Sequence, residues 1–258
     1  MARWPFVPQA LDAADWVLRR CDHQYASLPP ASLRIRIGVS NRILRNADVF
    51  QEGQFMVRQF VDRGWVGEGA RILELGSGVG RNTIGFKDQV YFESYDGIDV
   101  DAEMVSWCVD NVATPAVRFH HANLFSAVYN PFGLPVTEYR LPFADNSTTF
   151  SLGISVFSHL LRKDAAHYAA ELGRVTEGGG LACHTFFLLD HIQSRLGDRW
   201  TFAHEVDGCW VENPKYPEAA VAYWEKDVTA MFARHGLHIV DVLDKHLHQQ
   251  MVVFRREG

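Results

Sequence analysis

The sequence has little of what would build an extracellular, metal-centred or membrane domain. Its 258 residues include four cysteines, Cys21, Cys108, Cys183 and Cys209, far apart and without a C-x-x-C pair. That argues against a disulfide framework or a thiolate zinc site and makes a reducing cytoplasm the expected location. Twelve histidines are present, but not at the H-E-x-x-H spacing that sets two ligands on one helical face. Apolar runs are short. Leu181 to Leu189 is one of the longest, far below the ~20 residues a helix needs to cross a bilayer. Met1 to Phe6 lacks the apolar core and small-residue cleavage pattern of a signal peptide. Positive charge is also scarce: 25 Lys and Arg face 31 Asp and Glu, a formal net charge of −6. Gripping phosphate backbones calls for the opposite balance, so neither a nucleic acid nor a membrane is an expected partner.

What is present is a globular composition, 47% hydrophobic and 22% charged. The length suits one large domain, alone or with an appendage. From Arg71 onwards short apolar runs alternate with helical stretches, the rhythm of βαβ units around a mostly parallel sheet. Strands are expected at Arg71–Leu75, ending at Gly97–Val100, and at Val117–His121, Phe150–Val156, Leu181–Leu188, Leu237–Leu243 and Gln250–Phe254, the last two joined by a His-rich turn. A helix is expected from about Asp101 to Val112, and another over Asp164–Leu172 with Asp164 as its N-cap. Val221, Trp224, Val228, Met231 and Phe232 recur at helical spacing before Gly236, a C-cap.

Two stretches break that rhythm. Residues 1–64 form an N-terminal extension whose only cations are arginines, expected as a helical cap on a core domain spanning 65–258. Residues 190–216 make a long, aromatic connection, the pattern of a lid or binding loop.

The strongest local signal is Glu74-Leu75-Gly76-Ser77-Gly78-Val79-Gly80-Arg81, directly after a strand. Glycines there let the backbone turn tightly and approach a ligand at the carboxyl end of the strand. Asp99 ends the next strand about 20 residues on, where a carboxylate suits the two hydroxyls of a ribose. The spacing is G-x-G-x-G with Arg81 where a dinucleotide fingerprint has its third glycine. Glu74 is awkward for an anionic pyrophosphate and suits a ligand with a positive amino group, as S-adenosylmethionine has. A nicotinamide-dependent oxidoreductase is the competing reading, and a non-catalytic cofactor-binding partner subunit is a third.

Here the sequence resembles the class I, seven-stranded S-adenosylmethionine-dependent methyltransferases. Ile72 to Gly80 looks like their first motif and Gly97-Ile98-Asp99-Val100 like the second. The likeness continues in order through His121-Ala122-Asn123, Leu141 to Asp145, Ser155 to Leu160 and Glu171 to Val175 before Gly178-Gly179-Gly180. It implies an α/β doubly wound sheet in the order 3-2-1-4-5-7-6, with the last strand antiparallel and formed by Gln250–Phe254. It implies S-adenosyl-L-methionine as cofactor, with Gly76, Ser77, Gly78 and Gly80 in its turn and Glu74 near the amino group. Asp99, followed by Val100, would hold the ribose. Asn123, followed by Leu124, stands where the family usually has Asp beside the adenine amino group. Ser155 to His159 would flank the transferable methyl. Thr148-Thr149 and Thr176-Glu177-Gly178 depart from the family pattern at strand entries.

The acceptor is less legible. His159 follows the fourth strand and is the first candidate for a general base, the bland alternative being a helix-start packing role. His184 reads as a core histidine, and at most one of His120 and His121 can face a site. Leu33-Arg34-Ile35-Arg36-Ile37 alternates, with both arginines on one side. Arg36 is a candidate for the cofactor carboxylate, a solvated face the alternative. Tyr129-Asn130-Pro131-Phe132 resembles the N-P-P-Y motif of amino-group methyltransferases but precedes the fourth strand instead of following it. A small-molecule acceptor is therefore expected, with a hydroxyl of a sugar or secondary metabolite preferred to an amine. The oligomeric state stays open, a homodimer included.

Overall fold

The computed structural model describes residues 7–21, 27–37, 49–127, 129–192, 200–244 and 249–258. Met1–Phe6 and the His-rich turn at 245–248 lie outside them.

Strand β1 (Ala70–Leu75) is apolar toward both faces because both are covered, as in parallel sheets. Ile72 enters a core with Phe86, Tyr95, Phe150 and Val253. Leu73 and Leu75 enter the opposite one, with Phe157, Leu172, Phe186 and Phe254. This two-residue alternation is what places helices on both sides of the sheet. β1 pairs in parallel with β2 (Phe92–Asp99) and β4 (Thr148–Gly153), β2 pairs with β3 (Val117–His121), and β4 pairs with β5 (Thr176–Leu188). β10 (Gln250–Arg256) then lies antiparallel between β5 and β9 (Leu237–Asp244). The seven core strands thus run β3-β2-β1-β4-β5-β10-β9, the expected 3-2-1-4-5-7-6 order. Helices α3 (Arg81–Gln89), α4 (Ala102–Asn111), α5 (Arg162–Val175) and α6 (Glu225–Ala233) pack around them.

Of the aromatic stretch after β5, residues 193–199 lie outside the described residues and the rest is folded. β6 (His204–Val206), β7 (Cys209–Val211) and β8 (Val221–Tyr223) form an antiparallel meander attached to the tip of β5 through Phe187 and Leu188. Its core is Phe187 and Phe202 against Trp200 and Trp210. Val221 therefore belongs to a strand, and α6 starts only at Glu225. The Val221–Trp224 spacing fits a helix, but pairing with β7 decides it. Asp164 likewise lies in the first turn of α5, whose N-cap is Leu161. Gly178–Gly180 lie inside β5. β4 stops at Gly153, three residues before the expected end, as Ser155 takes a left-handed φ of 58°.

Before the sheet come α1 (Val7–Cys21), a helical turn at Ala31–Arg34, and α2 (Val49–Asp62). Met56, Val57 and Phe60 of α2 share the core of Ile72 and Phe86. The turn overrides the alternation of Leu33–Ile37 and separates its arginines. Arg34 is fully buried and binds Asp15 of α1 at 2.6 Å, while Arg36 stays partly exposed. Asp15→Ala would leave a buried guanidinium without its carboxylate. It should destabilise the docked N-terminal segment by about 3–5 kcal/mol, read as earlier urea unfolding and faster proteolysis of α1.

Candidate functional site

The carboxyl ends of β1 and β2 are tied together by the glycine turn. Gly76 N–H and Ser77 N–H both donate to the Ile98 carbonyl, at 2.8 and 3.0 Å. Gly78 N–H donates to Asp99 Oδ2 at 2.7 Å, and Asp99 Oδ1 accepts from Asp101 N–H at 2.9 Å. Asp101 in turn caps α4, its side chain accepting from Glu103 and Met104 N–H groups. Beneath the turn the Cys108 thiol donates to the Gly78 carbonyl at 3.4 Å, and burial pushes that thiol well above its usual range.

Above the turn opens a cavity of about 490 Å³. Its wall takes in Glu74, Gly76, Ser77, Gly78, Asp99, Val100, Ser155, His159 and Arg36 from the residues expected in the site. Gly80, Asn123 and Leu124 do not line it. Gly80 is the left-handed N-cap of α3. Asn123 is exposed, its amide oxygen accepting from Asn130 Nδ2 at 2.9 Å, and Leu124 is in the core. The following segment supplies Phe125, Ser126 and Tyr129 instead. Tyr129, in the stretch set aside as a displaced N-P-P-Y likeness, donates from its hydroxyl to the Arg36 carbonyl at 3.1 Å. Arg36 itself is engaged by Asp101 and Glu103, at 2.9 and 2.5 Å. Arg81, read in the sequence only as a missing glycine, reaches the wall beside Glu74 and binds Glu52 at 3.1 Å.

Beyond Ser155 the cavity reaches Thr185, Phe187, Trp200, Glu218 and Gln249. The strained Ser155 is held by its N–H to Thr185 Oγ1 at 2.7 Å and its hydroxyl to Gln249 Oε1 at 3.3 Å. His159 Nδ1 lies 2.9 Å from the Glu218 carbonyl. A carbonyl only accepts, so Nδ1 carries the proton and the neutral ring keeps its lone pair on Nε2. Burial lowers the pKa of His159 and keeps it neutral. Of the other histidines weighed from the sequence, His184 is fully buried and pushed down to about 3, His120 binds Asp96 at 2.8 Å, and His121 is exposed.

Glu74 is a strongly perturbed carboxyl on the wall. Burial raises it to about 7, against the lowering effect of hydrogen bonds from the Tyr95 hydroxyl and, at 2.6 Å, from Asn82 Nδ2. Between its ordinary value of 4.5 and about 7, the folded protein binds more protons here than the unfolded chain. The contribution is full below that window and is lost as pH rises through 7, on the order of 3 kcal/mol. Glu74→Gln should flatten this fall in stability, as read by urea denaturation at pH 5 and pH 8.

Comparison with known proteins places this geometry. Residues 73–184 match a family model described as a methyltransferase domain. A 1,6-didemethyltoxoflavin-N1-methyltransferase from Burkholderia thailandensis, with its substrate and S-adenosylhomocysteine bound, is 13% identical, with 96% of this chain and 91% of that chain covered at a TM-score of 0.54. An S-adenosylmethionine-dependent methyltransferase from Aquifex aeolicus is 15% identical, with 88% and 98% covered at 0.54. The [4+2]-cyclase SpnF is 14% identical, with 80% and 82% covered at 0.55. At these identities the likeness carries the fold, and the cyclase marks how far chemistry varies on it. No helix among the described residues is long and apolar enough to cross a membrane. The strand order is that of a Rossmann-like methyltransferase fold, and residues 73–184 within it match a methyltransferase domain.

Proposed function

We propose that the cavity binds S-adenosylmethionine over the glycine turn and delivers its methyl group to a hydroxyl of a small molecule, with His159 as general base. The walls fit the cofactor. A Cβ on Gly76 would meet Val156 at 2.7 Å and one on Gly78 would meet Ile37 at 3.2 Å, so only bare backbone leaves room there. The Ser77 hydroxyl is buried on the wall without a hydrogen-bond partner among the described residues, a group that a ligand can satisfy. Glu74 would face the amino group, Arg81 the carboxylate, and the remaining lone pairs of Asp99 the ribose hydroxyls, with Val100 and Ser155 alongside. Arg36, held by Asp101, would sit at the ribose side and shape the wall. Residues 1–64 would cap this end and the meander the other.

The bound cofactor supplies an electrophilic methyl on a sulfonium. The chain's contribution is to align an acceptor oxygen with it, exclude water and remove a proton. The observation that carries the reading is the orientation of His159. With Nδ1–H committed to the Glu218 carbonyl, Nε2 accepts the proton as the oxygen–carbon bond forms. A cavity of about 490 Å³ whose far wall includes Phe187, Trp200 and Glu218 supports a small acceptor. The toxoflavin enzyme acts on a small heterocycle at nitrogen, so the preference for oxygen rests on this base.

Asp99→Ala should weaken S-adenosylhomocysteine binding by about 1–3 kcal/mol in calorimetry. His159→Ala should keep that affinity and lower transfer of a radiolabelled methyl to hydroxylated acceptors by roughly 10²–10⁴-fold. Undiminished transfer in His159→Ala removes the base from the mechanism.

A further inference from the structure

The acceptor half of the cavity holds two carboxyl groups that form no ion pair among the described residues. Toward the glycine turn, Arg36 meets Asp101 and Glu103, and Arg81 meets Glu52. Past His159 two further carboxyl groups line the cavity. Asp164 lines the cavity and makes no hydrogen bond or ion pair among the described residues. Glu218 lines it too and accepts a single N–H, from Ala127 at 3.0 Å. Both line the one cavity, and burial raises the pKa of each.

Lys163 and His167 lie near enough to lower the pKa of Asp164 by their charge, but neither forms an ion pair with it among the described residues. Lys163 is exposed, and Arg162 turns to the Gly208 carbonyl at 2.8 Å and to Asp227 at 3.7 Å. His167 is engaged with the Tyr139 carbonyl at 2.6 Å, and His159 is neutral.

A second observation is independent of the carboxylates. Tyr168, one helical turn after Asp164, lines the cavity and is only 7% exposed, yet its hydroxyl has no hydrogen-bond partner among the described residues. A donor or acceptor on a ligand in the cavity would pair with this hydroxyl. The wall also includes Phe187 and Trp200, with ring centroids 5.3 Å apart. Aromatic faces attract cations and are indifferent or repulsive to anions.

We propose that Asp164, Glu218 and Tyr168, with Trp200 and Phe187, form a subsite for a protonated amine on the acceptor, so that the methylated molecule is a hydroxyl compound bearing an ammonium group. The inference rests on the methyltransferase reading of the cavity. The amine is the handle: bound between the carboxylates and the rings, it holds a hydroxyl of the same molecule against His159 Nε2. A neutral acceptor would leave two half-buried carboxylates unmatched, and an acidic one would add repulsion.

The test uses three compounds of nearly equal size that differ in the terminal group, namely phenethylamine, 2-phenylethanol and phenylacetate. Each is titrated against protein saturated with S-adenosylhomocysteine, with tryptophan fluorescence and calorimetry as readouts. The protonated amine should bind at least about tenfold more tightly than the alcohol or the acid. The preference should shrink in Asp164→Asn and in Glu218→Gln and vanish in the double variant, with affinity for S-adenosylhomocysteine retained as the check on folding. Equal or stronger binding of the alcohol or acid overturns the proposal. So does no saturable binding of the amine at millimolar concentration, or a preference unchanged in the double variant. The wild-type series alone decides the matter if a variant folds poorly. Failure to bind S-adenosylhomocysteine at all would instead remove the cofactor reading on which the subsite rests.

Discussion

Everything in the cavity is referenced to one contact, the hydrogen bond from the Gly78 backbone to the carboxylate of Asp99. It joins the end of β1 to the end of β2, and with the two bonds to the Ile98 carbonyl it fixes the path of the turn. Asp99 also accepts from Asp101, and Asp101 caps α4 and holds Arg36. One buried carboxylate thus sets the turn, a helix start and the seat of the N-terminal segment. A carboxylate has about four acceptor sites, so these bonds leave capacity for a ligand.

The opposite end of the site is built differently. There the main chain is strained at Ser155, and side chains of β5 and of the residue preceding β10 hold the strain in place. Such geometry persists only where surroundings over-determine it. The meander adds an aromatic wall at the tip of β5, and Glu218 orients His159 through its main-chain carbonyl. A rigid half that is common to the fold therefore meets a half assembled from elements added to it.

Legibility in the sequence followed that division. The seven core strands, the glycine turn and Asp99 could be read because each is a local pattern: alternation along a strand, glycines where φ is positive, a carboxylate at a strand end. β8 could not, since Val221, Trp224 and Val228 satisfy helical spacing and only pairing with β7 makes Val221 a strand residue. The burial of Arg34 was hidden for the same reason, because its partner Asp15 belongs to another helix. Asn123 stood at the expected place in the order of motifs, but its side chain bonds to Asn130 outside the cavity wall. Asp164, Glu218 and Tyr168 carry no motif at all, and the convergence of a helix with the segment before β8 is a property of the fold alone.

The distribution of thiols has a practical side. Cys108, Cys183 and Cys209 are buried, and Cys108 is tied to the underside of the glycine turn with its proton held tightly. Cys21, at the end of α1, is exposed. Since the thiolate is the nucleophile in alkylation, a maleimide dye attaches to the native protein at Cys21 alone. The molecule thus comes with a single built-in attachment point on the segment that Arg34 and Asp15 fasten down, and a fluorophore placed there reports the docking of that segment without any engineering of the chain.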